Sequence, residues 1–176
     1  MERALAELYN KMANHIDDMI PDEWNDVYYL GEVHQGRSAC SSVFHFRNEK
    51  SEKFVESNNI PGIYQIPNHI FMDVLQQLND ILLEIYDCFK EHGQALWEQM
   101  TLTFSRDGAF SIDFHYDVMR KDNGGQLGRE LLWAYQTFGQ VPQKGTFSWS
   151  VLNKLVKLDS ATSNPETIVI DNGAIA

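Results

Sequence analysis

The sequence predicts an α+β domain: one antiparallel β-sheet of about five strands with helices packed on one face, in a single domain. Three observations carry that expectation. "WNDVYYLGEVH" with "SSVFHFRN", and "MTLTFS" with "FSIDFHYD", are two pairs of β-branched and aromatic runs, each pair joined by a short turn-forming stretch, the pattern of antiparallel hairpins. Apolar residues recur at helical spacing in three other segments. The element order, a helix, two or three strands, a long helix, two strands and a helix, is that of an antiparallel sheet with helices against one face. At 176 residues and 43% apolar composition, the chain is long enough to bury a sizeable core without disulfides or metal.

Each element has its own signal. Leu5, Leu8, Tyr9, Met12, Ile16, Met19 and Ile20 step by threes and fours, predicting a helix over residues 2–20 that Pro21 ends. The first two strands follow, joined through "QGRSA". "EKSEKFVESNN" reads as a loop, and "IPGIYQIPN" as a short strand confined to a sheet edge or turn by Pro61 and Pro67. Asn68 is placed to cap the longest helix, marked by Phe71, Val74, Leu75, Leu78, Ile81, Leu82, Ile85, Tyr86 and Phe89 and stopped at His92-Gly93. Arg106-Asp107-Gly108 turns the second hairpin, because Asp-Gly tolerates positive φ. "GQLGRELLWAYQTFG" returns to helical spacing, "SWSVLNKLVKL" is compatible with a short helix or strand, and Thr167–Ile170 is the one β-like run in a polar tail. How the strands are ordered is not fixed by these patterns.

Net charge is −11 and unevenly spread: six basic against eleven acidic residues in 1–60, three against nine in 61–120, and five against five in 121–176. Clustered Lys and Arg needed to hold phosphates are missing, which argues against direct binding of nucleic acid or an anionic membrane. A charged partner should be basic. No stretch has the length of a signal peptide's apolar segment or a membrane span, so a cytoplasmic location is expected. Cys40 and Cys88 lack metal-site or redox spacing and read as free thiols, Cys88 in the core.

Asp113, His115 and Asp117 alternate with Ile112, Phe114 and Tyr116. On a strand they would share one face, where a metal could be held or a carboxylate could orient a histidine for general-base work. A small metal-dependent enzyme is therefore the alternative reading. Against it, polar residues at alternate positions are what a one-sided sheet requires. No HExxH, Gly-rich phosphate loop, GxSxG or dinucleotide fingerprint is found, and no cofactor is expected. His34 and His45 could meet across the first hairpin, though two histidines without a third ligand are a weak zinc signal. On the long helix, Asp73, Asp80, Glu84, Asp87 and Glu91 form an acidic ridge opposite the apolar stripe. Like charges at this spacing each cost a few tenths of a kcal/mol, a cost that binding a basic surface would explain.

"LYNKMANHIDDMIPDEWNDVYYLGEV", "GQALWEQMTLTFSRDGAFSIDFHYD" and "GQLGRELLWAYQTFGQVP" together resemble the signature blocks of the YezG-like immunity proteins, bacterial antitoxins that include a staphylococcal nuclease inhibitor. The resemblance covers roughly residues 5 to 142, implying an immunity domain over 1–142 and a C-terminal extension over 143–176. It implies a cytosolic binding protein, not an enzyme, without catalytic residues or metal. Its partner would be the C-terminal toxic domain, expected to be a basic nuclease, of a cognate secreted polymorphic toxin. Asp73, Asp80, Glu84, Asp87 and Glu91 on the helix, with Asp113, His115 and Asp117 on the hairpin, are then the candidate toxin-binding residues. Ile20-Pro21-x-x-Trp24, Trp97, Asp107-Gly108 and Tyr116-Asp117 match the family as signatures of structure.

Overall fold

The computed structural model describes residues 1–119 and 124–158. The chain divides into two compact units, Met1–Val118 and Met119–Ala176. In the first, helix α1 (Glu2–Met19) precedes strands β1 (Trp24–Val33), β2 (Cys40–Asn48) and β3 (Phe54–Glu56), a short helix α2 (Ile60–Tyr64), the long helix α3 (Asn68–Glu91), and strands β4 (Gln99–Ser105) and β5 (Phe110–His115). The five strands form one antiparallel sheet in the order β3-β2-β1-β4-β5, so the class expected from sequence is the class observed. The two hairpins meet through β1 of the first and β4 of the second, which pair side by side in the middle of the sheet.

One sheet face carries the core. Val27, Tyr29 and Val33 of β1, Phe44 and Phe46 of β2, and Met100, Leu102 and Phe104 of β4 pack with Met12 and Ile16 of α1 and with Leu78, Leu82 and Ile85 of α3. Each fully buried aliphatic side chain contributes about 1.5–3 kcal/mol of transfer free energy. Helix α3 comes close to the sheet at Gly31, where an added Cβ would sit 2.5 Å from the Tyr29 hydroxyl and 2.6 Å from Leu82 Cδ1. Tyr29 is held there by a 2.8 Å hydrogen bond between its hydroxyl and Ser42 Oγ. Between the helices, His15 Nε2 donates to the Val74 carbonyl at 2.7 Å.

Three local expectations are corrected. "IPGIYQIPN" is helix α2, not an edge strand: Pro61 occupies the first turn, where its missing N–H costs nothing, and Gln65 closes the helix in the left-handed region. The edge position goes instead to Phe54–Glu56, inside the stretch that reads as a loop, paired with His45–Arg47. Asn68 is the first residue of α3 without a capping side-chain bond; Pro67 precedes it as N-cap. The other end stops as expected, with Gly93 at φ 63° and its N–H donating to the Lys90 carbonyl at 3.1 Å.

Asp22 ties three segments together at the start of β1. Its Oδ2 accepts from Asn48 Nδ2 at 2.8 Å and from the Tyr64 hydroxyl at 3.0 Å, and its Oδ1 accepts from the Glu23 N–H at 2.9 Å. The Glu23 N–H first, then Tyr64, hold this carboxyl below its ordinary range. Stability from it is present above the unfolded-state pKa of about 3.9 and is lost as pH falls through the lower folded value. Asp22→Asn should therefore flatten the fall in Tm between about pH 4 and pH 2, measured by thermal unfolding across that range. Burial, and then donation to Asp22, pushes the Tyr64 phenol up to about 12. That contribution is present below about pH 10 and fades as pH rises towards the folded value.

The second unit contains helices α4 (Gly125–Phe138) and α5 (Phe147–Val156). Gly124 and Gly128 let the start of α4 lie close against α5: a Cβ on Gly124 would come 3.2 Å from the Gly128 Cα and 3.4 Å from Val151 Cγ1. Gly139 at φ 74° ends α4, and the Thr146 hydroxyl caps α5 by accepting from the Trp149 N–H at 3.2 Å. "SWSVLNKLVKL" is thus mostly helical, while the Thr167–Ile170 run lies outside the described residues.

Candidate interaction surface

The acidic ridge of α3 exists, but the fold divides it. Glu84 accepts from Lys11 of α1 at 2.9 Å, and Asp87 pairs with Arg37 of the β1–β2 turn at 3.4 Å. Asp80 accepts from the Gln76 side chain at 3.0 Å and faces Cys40, whose thiol is raised by burial first and by Asp80 second. Asp73 and Glu91, near the two ends of the helix, are exposed. Such part-exposed pairs are worth about 0–1 kcal/mol, so they position side chains more than they stabilise. Two of the five acids therefore have their charge partly met from within the chain. Lys11 and Arg37 were not singled out by sequence reading, and the only signal was their sign.

The hairpin acids are arranged differently from the sequence expectation. Asp113 and His115 are exposed on the β5 face away from α1 and α3, opposite Thr101 and Gln99. Asp117 does not share that face, because β5 ends at His115 and Asp117 adopts φ 58° in the following turn. Among the described residues no group of three His, Cys, Asp or Glu could hold a metal ion. His34 and His45 do not meet either. His45 lies opposite Tyr28, whereas His34 lies beyond Val33, the partner of Cys40.

Of the residues matching the family signatures, Ile20, Trp24 and Trp97 are buried, whereas Pro21, Asp107, Gly108, Tyr116 and Asp117 are exposed. Trp24 stacks edge-on against Phe104 at 5.2 Å, donates Nε1–H to Asp17 at 2.7 Å, and carries the Arg106 guanidinium 4.1 Å over its ring. The Arg106 N–H donates to the Asn25 carbonyl at 2.9 Å. Two blocks far apart in sequence thereby meet at one node. Asp107 accepts from the Ser105 hydroxyl and, at 3.1 Å, from the Ala109 N–H, bonds that fix the tight turn and lower its pKa. Trp97 is buried among Tyr86, Phe89 and Phe114.

The family profile described as Immunity protein YezG-like matches residues 5–151. The chain belongs to the YezG-like immunity protein family. It is 33% identical to "Immunity protein YezG" of Bacillus spizizenii over 144 residues, which are 81% of this chain and 87% of the relative. It is 32% identical over 142 residues to "Type VII secretion system protein EsaG" of Staphylococcus aureus, covering 81% and 86%. "Immunity protein YezG" of Bacillus subtilis is 27% identical over 139 residues, covering 79% and 91%. No helix among the described residues is long and apolar enough to cross a membrane.

Proposed function

We propose that this YezG-like protein acts without catalysis, in the cytoplasm, by binding and neutralising the C-terminal toxic domain of a cognate secreted toxin, and that this domain is a nuclease. Membership of the immunity family supports the antitoxin role, and the observation that carries the nuclease reading is the net charge of −11, concentrated in residues 1–120. A nuclease must approach a polyanion and presents basic surface to do so. An acidic inhibitor gains steered association and orientation against such a surface.

The test is co-expression with the toxic domain encoded alongside the gene. Restored growth, a complex on a sizing column and suppressed nucleic-acid cleavage by the purified domain are expected. Absence of both rescue and complex removes the antitoxin role, and a bound toxin that leaves nucleic acid intact removes the nuclease alone. The α3 ridge has its own prediction: Asp73→Lys, Asp80→Lys and Glu91→Lys together should slow association about ten-fold at low salt and flatten its dependence on ionic strength, read by stopped-flow mixing. Unaltered kinetics would take α3 out of the interface. Glu84 and Asp87 are left in place so that their pairs with Lys11 and Arg37 survive.

A further inference from the structure

The sheet ends at β5, and the way it ends differs from the other edge. β3 has three residues, short enough to offer little to a passing chain. β5 has six, Phe110–His115, with no proline, lysine or arginine among them. Natural sheets guard long edges with such residues, with bulges or with a covering element. The Ser105 N–H donates to the Ala109 carbonyl, and the Glu98 N–H to the His115 carbonyl. Because backbone groups in an antiparallel ladder alternate in direction, Ser111, Asp113 and His115 bond inwards to β4. The N–H and C=O groups of Phe110, Ile112 and Phe114 point outwards, and β5 has no further strand beyond it among the described residues.

Side chains on this edge also alternate. Phe110 is 47% exposed, and Ile112 and Phe114 are half-buried at the rim of the core. On the other face Ser111, Asp113 and His115 are exposed. Residues 93–119 contain four acidic side chains, Glu98, Asp107, Asp113 and Asp117, and one basic, Arg106, which is engaged over Trp24.

We infer that the outer edge of β5 is a docking site for an extended segment of a basic partner, which adds to the sheet as a sixth strand. The segment would pair with the outward groups of Phe110, Ile112 and Phe114. It would place apolar residues beside those three side chains and Lys or Arg beside Asp113, following the cross-strand rule that opposite charges and apolar pairs stabilise neighbouring strands. Main-chain bonds supply affinity in this mode, and the alternating side chains supply choice of partner. A second copy of this chain is disfavoured as occupant by the net charge of −11. The inference rests on the antitoxin reading, since it takes the toxic domain as the source of the segment.

The experiment uses the full-length protein and the purified toxic domain. Phe110→Pro removes one outward N–H at the first position of the strand, where proline is tolerated, and Asp113→Lys reverses the charge facing the added strand. Both should keep a Tm close to wild type and bind about ten-fold more weakly. Amide hydrogen exchange of the wild-type protein is the second measurement and needs no variant. The N–H groups of Phe110, Ile112 and Phe114 should exchange quickly in the free protein and slowly in the complex. Wild-type affinity in both folded variants, or unchanged exchange at those three amides in a stable complex, overturns the docking site while the antitoxin role stands. Protection of the same amides in the protein alone, rising with concentration, would identify a second copy as the occupant and overturn it too. Failure of the wild-type protein to bind the domain overturns both readings.

Discussion

Replacing Trp97 by alanine is expected to destabilise the protein by about 3–5 kcal/mol, the range for deleting a buried aromatic ring that leaves a cavity. Trp97 is 1% exposed and sits where α3 meets the β4–β5 hairpin. Tyr86 and Phe89 approach it edge-on with centroids at 5.3 and 6.2 Å, and Phe114 lies tilted at 5.3 Å. Removing the indole takes from Tyr86, Phe89 and Phe114 the ring that all three pack against. Chemical denaturation should show the loss as a lower midpoint. Trp97→Phe should cost much less, because the indole Nε1–H has no hydrogen-bond partner among the described residues and its removal ends an unmet demand. Equal losses in the two variants would mean that ring volume is not what Trp97 contributes.

Gly31→Ala is the second large effect, a loss of about 1–3 kcal/mol from overpacking. The new methyl would lie 2.5 Å from the Tyr29 hydroxyl and 2.6 Å and 2.9 Å from the two Leu82 methyls. Neither neighbour has room to retreat: Tyr29 and Leu82 are both wholly buried, and the Tyr29 hydroxyl is committed to Ser42. The decisive measurement is a double-mutant cycle. Leu82→Ala alone should cost about 2–5 kcal/mol, but combined with Gly31→Ala the losses should fall short of their sum, because the second change vacates the volume the first requires. Simple additivity would show that the clash is relieved elsewhere, by movement of the strand.

What sequence could disclose followed the length and regularity of each element. Helix α3 repeats its apolar spacing over 24 residues, and the Asp107-Gly108 turn announces its hairpin through residues that tolerate its backbone. β3 is three residues long, too short for any period to show, and its place is set by pairing with β2. Pro61 was ambiguous in principle, since proline suits both a sheet edge and the first turn of a helix, and the following contacts decided for the helix. The acidic ridge was visible as a pattern of charges, but its partners Lys11 and Arg37 lie on other elements, so only the folded chain reveals which acids they engage. Asp117 separated from Asp113 and His115 because a strand's alternation says nothing about where the strand stops.

The order β3-β2-β1-β4-β5 also sets a timetable for synthesis. β1 is central, yet one of its two neighbours, β4, is separated from it by β2, β3 and two helices in the chain. At about 5–20 residues per second, a ribosome needs several seconds after finishing β2 to make β4. During that interval the β1–β2 hairpin has an unfilled side, and Tyr29, Phe44 and Phe46 await the helix and strand that cover them. A message broken before residue 105 would yield a fragment with an open edge and uncovered aromatic rings, prone to aggregate rather than to act in part. Protection by such a protein is thus all or nothing at the level of each translated chain.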